Sequence, residues 1–144
     1  MARPRDRRAF LHPLHALLLA FPIALFTSAL VSDLTYLNTA VVQWSHFSAW
    51  LLAGAQIFAS LVLIWAIVDF LRLRATGYRN CTLVYLILLA AMWIAGLLNC
   101  FQHSRDTWSS VGTLGLILSI LATLLAIGAG WLAYSIPRAR EDAR

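Results

Sequence analysis

Four long apolar segments divide this chain, and they constrain its fold more than any other feature of the sequence. The segments are 14–31, 47–73, 81–101 and 111–136. Each has about the 20 residues that an α-helix needs to cross a hydrocarbon core about 30 Å thick. Because 61% of the residues are hydrophobic and only 12% are charged, the chain has too little polar surface to cover a water-soluble core. The sequence therefore predicts an all-α polytopic membrane protein, a four-helix transmembrane bundle surrounded by a lipid bilayer.

The distribution of arginine predicts how this bundle is oriented. All 11 basic residues are arginines, and all except Arg105 lie before the first span, between the second and third spans, or after the fourth. By the positive-inside rule, both termini and the middle connection are expected on the cytoplasmic side of the membrane. The predicted segments are a cytoplasmic Arg-rich segment 1–12, a transmembrane domain 13–136, a cytoplasmic tail 137–144, and loops 32–46 and 102–110 on the opposite side.

The net charge and the motifs exclude several classes of function. The charge of +5 is carried by arginines that flank spans, so topology and anionic lipid headgroups account for it, and no nucleic-acid partner is expected. The sequence contains no H-E-x-x-H motif, no glycine-rich phosphate loop and no G-x-S-x-G elbow. It also lacks paired carboxylates deep within the spans. A catalytic function is therefore not predicted.

Small and polar side chains predict which helix faces pack together. Close helix packing in lipid favours small residues, and the first span carries a row of them at four-residue spacing, which we expect to form a groove for a neighbouring helix. Intramembrane polar residues need partners, so they are expected to hydrogen-bond between helices. The predicted packing residues are Ala16, Ala20, Ala24, Ser28, Gln56, Gly96, Asn99 and Gly130.

Two histidines at the start of the first span form the first candidate site. His12 and His15 are three residues apart, so in a helix both imidazoles would lie on one face and could bind one metal ion. Pro13 suits the first helical position, which predicts His12 as the N-cap. Two nitrogen ligands are fewer than a zinc site normally has. The alternative is that both rings anchor the span at the headgroups.

His46 and His103 form a second candidate pair, contributed by different helices. The second span begins on the side where the third ends, so these histidines are expected at a similar depth. Two histidines on facing helices suit the axial ligands of a haem b. The alternative is hydrogen bonding at the interface, because both residues lie at the ends of their apolar runs.

Two aspartates lie near span ends. Asp69 is three residues before Arg72, a spacing that allows an ion pair near the inner interface. Asp33 closes the first span. A proton relay through either would need a continuous polar chain across the membrane, and the first and fourth spans offer only Ser and Thr there.

Short motifs in three of the spans are similar to a known family. Together, over roughly residues 10–135, they resemble a small bacterial four-span membrane domain catalogued as domain of unknown function 2231. The resemblance implies a four-helix fold and no established activity. The motifs are His12-Pro13-Leu14-His15, Phe21-Pro22-Ile23-Ala24-Leu25, Asp33, Ile67-Val68-Asp69-Phe70-Leu71, and Gly128-Ala129-Gly130-Trp131-Leu132-Ala133-Tyr134.

The chain departs from the family pattern at three places. Members often carry a proline and a histidine where this sequence has Ala16 and Ala20. They often have a histidine near the start of the third span, where Cys81, Thr82 and Tyr85 stand here. These differences remove nitrogen ligands, so they count against a shared haem or metal site in this chain.

Three functions are compatible with these patterns. The first is a non-enzymatic accessory or assembly subunit of the inner membrane, with a membrane protein partner or a second copy of the chain. The second is a haem b electron-transfer subunit that uses His46 and His103. The third is a small transporter or proton-linked channel that uses Gln56, Asn99 and the histidines.

Overall fold

A computed structural model describes residues 12–73, 79–105 and 111–139 of the chain. These residues form four α-helices, each of which contains a segment long and apolar enough to cross a membrane. The predicted all-α, four-span fold is confirmed. The Arg-rich start of the chain and the last five residues lie outside the described residues. The helices are α1 (Pro13–Thr39), α2 (Val42–Leu73), α3 (Arg79–His103) and α4 (Thr113–Ala139).

The helices pack as a four-membered ring. α1 packs against α2 and α4, and α3 packs against the same two helices. Consecutive helices are therefore neighbours, as the short connections require. The core between them consists mostly of alanine, leucine and single large side chains such as Phe26 and Met92.

The start of α1 follows the local sequence. His12 is the N-cap: its backbone is extended, and its Nδ1 accepts a hydrogen bond of 3.2 Å from the backbone N–H of Leu14. Pro13 occupies the first helical turn, where its missing N–H costs nothing. The predicted cap is confirmed. Pro22 lies further along the same uninterrupted helix and is buried.

The connection between α1 and α2 is much shorter than the sequence predicts. We expected a loop over 32–46, but only Ala40 and Val41 separate the helices. The polar side chains at the end of α1 bond to carbonyls one turn earlier and so extend the helix beyond its apolar run. Ala40 ends it with φ 53°, and its N–H donates to the Tyr36 carbonyl at 2.7 Å. In the bonds that extend the helix, the side chain of Thr35 donates to the Val31 carbonyl, that of Asn38 to the Leu34 carbonyl, and that of Thr39 to the Thr35 carbonyl.

The interior face of α1 differs from the expected row of small residues. Ala20, Ala24 and Ser28 are exposed, and Ala16 is only half-buried. The prediction that this row packs inside the bundle is therefore wrong. Alanines on α2 and α4 provide the close approaches instead, so α1 can present larger groups to the core. Its buried residues are His15, Leu19, Pro22, Phe26, Ala29, Ser32, Asp33 and Tyr36.

Gly96 on α3 provides a further close approach. A Cβ at this position would lie 2.6 Å from both Gln56 Oε1 and Phe26 Cζ, closer than real atoms approach. At Gly130, a Cβ would lie 2.7 Å from Cδ1 of Ile23, which is the far end of a flexible side chain. A Cβ at Gly128 would meet nothing within 4 Å. The three glycines therefore differ sharply in the space around them.

We predict that Gly96→Ala destabilises the bundle by about 1 to 3 kcal/mol, because Phe26 and Gln56 must both shift. Gly130→Ala should cost less, since the end of Ile23 can rotate away. Gly128→Ala is the matched control and should not destabilise the protein. Unfolding midpoints of the three variants in one detergent would test this. Equal midpoints for Gly96→Ala and Gly128→Ala would contradict the prediction.

Candidate functional site

Polar side chains from all four helices meet near the end of the bundle where α1 joins α2. We call this set the Asp–His cluster. Every member is buried: Asp33 is 0% exposed, and His103, the most exposed, is 7%. Such groups are rare inside membranes and often functional, so the cluster is the candidate site. Its members are Asp33 on α1, Ser48 on α2, Asn99 and His103 on α3, and Ser119 on α4.

The positions of these residues along their helices explain why they meet. Asp33 lies less than two turns before the end of α1, and Ser48 and Ser119 lie less than two turns after the starts of α2 and α4. His103 is the last residue of α3. At about 1.5 Å per residue, the cluster therefore lies within about 9 Å of the helix ends.

The hydrogen bonds of the cluster form a closed ring through three helices. His103 Nε2 lies 2.9 Å from Asp33 Oδ1, and the Ser119 hydroxyl donates to Asp33 Oδ2. Asn99 Nδ2 donates to the Ser119 oxygen at 2.7 Å. His103 Nδ1 donates to the Asn99 backbone carbonyl at 3.1 Å, since a carbonyl only accepts. The ring therefore joins α1, α3 and α4.

Ser48 connects the fourth helix to this ring. Its hydroxyl donates to the Ala29 carbonyl of α1 at 3.3 Å. The same oxygen lies 3.5 Å from His103 Nε2, so it faces the imidazole with a lone pair. The start of α2 is thus held against α1 and lies beside α3.

The cluster contains a serine, a histidine and an aspartate, but not in the arrangement of a hydrolase. In nucleophilic catalysis the histidine bonds to the serine hydroxyl and removes its proton. Here Ser119 donates to the carboxylate of Asp33 instead. Both ring nitrogens of His103 have other partners. The arrangement therefore connects the helices, and it does not place His103 to activate Ser119.

His46 does not join His103 as the haem hypothesis expects. It lies two residues before Ser48, and such residues point to nearly opposite sides of a helix. Ser48 contacts His103, whereas His46 is exposed. The expectation that the two histidines face one another is therefore wrong. The sequence placed both at the right end of their helices but could not fix the rotation of α2.

The other two histidines lie at the opposite end of the bundle, about 27 Å along α1 from Asp33. His15 is buried, and its Nε2 lies 2.8 Å from the hydroxyl of Tyr85. The ring of Trp65 packs against both imidazoles, with centroids 5.6 Å from His12 and 5.4 Å from His15. Within 12–73, 79–105 and 111–139, no group of three His, Cys, Asp or Glu side chains is arranged to hold a metal. His12 and His15 thus gain no third ligand of these types there.

An apolar layer separates the two ends. Its large side chains are at most 1% exposed. Beside this layer, the Gln56 amide donates to the Trp93 carbonyl at 2.7 Å, and the Trp93 indole N–H donates to Ser60 at 2.8 Å. These bonds join α2 to α3, and they reach neither the Asp–His cluster nor the pair of His12 and His15. The large residues of the layer are Leu19, Phe26, Leu52, Leu89 and Met92.

The spacing of residues in the sequence contains a signal for the Asp–His pair. Asn99 and His103 are four residues apart, which places them on one face of α3, and both are buried. Asp33 is four residues after Ala29 and seven after Phe26, so it lies on the buried face of α1. The small-residue row suggested a different face and hid this periodicity. Asp33 was therefore given no partner.

We predict that Asp33→Ala and His103→Ala each destabilise the bundle by about 3 to 5 kcal/mol, because each leaves its buried partner unpaired. His46→Ala is the matched control: it removes an exposed histidine from the same end and should change stability by less than about 0.5 kcal/mol. Unfolding of the three variants in detergent measures the difference. The cluster would lose its structural role if Asp33→Ala matched the control.

Comparison with known proteins gives one similarity. A family model described as "Predicted membrane protein (DUF2231)" matches residues 11–135. The matched range contains both histidine pairs and every member of the Asp–His cluster. Curated proteins and solved structures give no match.

Proposed function

The chain belongs to the DUF2231 family of predicted membrane proteins, and from this premise we propose that it is a non-enzymatic accessory or assembly subunit of a bacterial inner membrane. One observation carries the proposal. The strongest polar groups are bonded to one another between helices, and Asp33, Asn99 and Ser119 are at most 1% exposed. Groups that are this deeply buried and bonded to one another are out of reach of a bulky substrate, which supports a role in packing the bundle.

A protein with an inaccessible polar interior acts through its outer surface. On α1 that surface includes Ala20, Ala24 and Ser28, whose small side chains let another helix approach closely. The partner we propose is a membrane protein with an apolar helix of its own, and a second copy of this chain is the simplest case. Lipid covers the rest of the surface.

We also propose that both termini face the cytoplasm. Arg72 and Arg79, which flank the α2–α3 connection, are exposed. Arg105 is the basic residue at the opposite end of the bundle. This asymmetry supports the orientation by the positive-inside rule. The Asp–His cluster then lies near the outer surface of the inner membrane.

Photo-crosslinking in native membranes tests the proposed partner. A crosslinking amino acid at the exposed position Ala24 should give one discrete adduct, identified by mass spectrometry as a membrane protein or a second 16.0 kDa chain. The same amino acid at Ala126, which is 0% exposed, is the control and should give no intermolecular adduct. If Ala24 captures only lipid and the chain migrates as a monomer on native gels, the subunit hypothesis is wrong.

Cysteine labelling tests the orientation. With Cys81 and Cys100 replaced by serine, Val41→Cys places a thiol in the exposed α1–α2 connection, and Arg79→Cys places one at the exposed start of α3. We expect a membrane-impermeant maleimide to label residue 41 in intact spheroplasts. Residue 79 should be labelled only after the membrane is opened. The reverse pattern would contradict the N-in, C-in orientation.

A further inference from the structure

We propose that Asp33 and His103 form a proton-binding site that exchanges its proton with water at the α1–α2 end of the bundle. The two residues come from α1 and α3, and their side chains meet at 2.9 Å in a position where Asp33 is 0% exposed. This inference does not depend on the proposed subunit role, because it concerns the chain alone.

The ring of hydrogen bonds leaves only one proton whose position can change. Nδ1 of His103 must carry a hydrogen, because its partner is the Asn99 carbonyl. The Ser119 oxygen accepts from Asn99, so its own hydrogen points to Asp33 Oδ2. The remaining contact, from His103 Nε2 to Asp33 Oδ1, holds one proton. With that proton in place the pair has no net charge.

The neighbouring groups determine which of the two residues carries this proton. The Ser119 hydroxyl donates to Oδ2 of the Asp33 carboxylate. The hydroxyl hydrogen of Ser48 points to Ala29, so the Ser48 oxygen offers a lone pair to Nε2. The imidazole therefore faces the acceptors Asn99 and Ser48, and the carboxylate has a donor in Ser119. Hydrogen bonds of this kind stabilise the charged forms, so the proton lies on Nε2.

Access to the site comes from one end. His103 is the last residue of α3 and is the cluster member with the largest exposed fraction, 7%. Toward the opposite end, the bonds that the described residues make at the level of Phe26 join Gln56 to Trp93 and Thr123 to the Phe26 carbonyl, and none of these bonds runs to Asp33 or His103. The proton therefore enters and leaves on the side of the α1–α2 connection, and it does not cross the bundle.

Few other titratable groups in the described ranges face the pair. On α1, Tyr36 lies one turn after Asp33 on the same buried face. On α2, His46 is exposed and points away from the cluster. After α3, the exposed Arg105 bonds to Gln102. The buried face of α4 beside the cluster offers the hydroxyls of Ser119 and Thr123.

Loss of the proton would break the contact between α1 and α3. The pair would then hold a net negative charge at a fully buried carboxylate, with the lone pair of Nε2 directed at it. An unpaired buried charge is strongly destabilising, so the ring must open to admit water. The bound proton therefore keeps this end of the bundle closed.

Nitrogen-15 NMR of the full chain in lipid nanodiscs tests the site, with labelled histidine and a pH titration. We expect His103 to carry protons on both nitrogens at neutral pH. In Asp33→Asn the imidazolium loses its counter-charge, so we expect the signal of the doubly protonated His103 ring at neutral pH to give way to that of a neutral ring. His46→Gln assigns the exposed histidine and should leave the His103 titration unchanged. A neutral His103 in the wild type, or an unaltered titration in Asp33→Asn, would overturn the proposal.

Ser119→Ala keeps the test decisive if Asp33→Asn does not fold. This variant retains both titratable groups and removes one donor to the carboxylate. We expect His103 to remain protonated on both nitrogens at neutral pH, because the Asp33 carboxylate that pairs with it is retained. Infrared spectra of aspartate-labelled protein should show an ionised carboxylate in the wild type. A protonated acid band for Asp33 in the wild type, or a neutral His103 in Ser119→Ala, would contradict the assignment.

Discussion

A fully buried carboxylate in a membrane-spanning helix must be paired, and the end of this bundle depends on how Asp33 meets that requirement. Hydrocarbon offers no water to replace a missing partner, so each oxygen needs a donor from a neighbouring helix. His103 and Ser119 supply these donors, and Asn99 completes the ring. These bonds fix the rotation of α1, α3 and α4 and their relative positions along the bundle axis at the level of Asp33. The same contacts make the pair a place where a single proton controls packing.

The centre of the bundle is held in a different way. Gly96 leaves room for Phe26 of α1 and Gln56 of α2, and alanines bring the other helix surfaces together. The hydrogen bonds among these contacts are those of Gln56, Trp93 and Thr123. The layer separates the Asp–His cluster from the His15–Tyr85 contact at the other end. Within the described residues, the His15–Tyr85 hydrogen bond shares no residue with the hydrogen bonds of the Asp–His cluster.

Particular residues show where inference from sequence succeeds. The number of spans follows from apolar length alone, and the His12 cap follows from the proline after it. The periodicity of the first span was misread, because small residues on a membrane helix can face lipid or a partner as well as the core. The loop over 32–46 was also misread, since Thr35, Asn38 and Thr39 satisfy their polar groups within the helix.

The sequence by itself determined that this is a four-span membrane protein, because in a bilayer the length and hydropathy of a segment suffice to make it a helix. Only the tertiary structure decided which polar residues meet. Asp33 and His103 come together because α1 and α3 pack against the same two helices, each rotated so that its polar residue faces the core. His46 on α2 points away from this site. If α2 were rotated by half a turn, His46 would face His103 in place of Ser48, and the length of every span would stay the same. Helix rotation depends on packing between helices, which no single segment encodes.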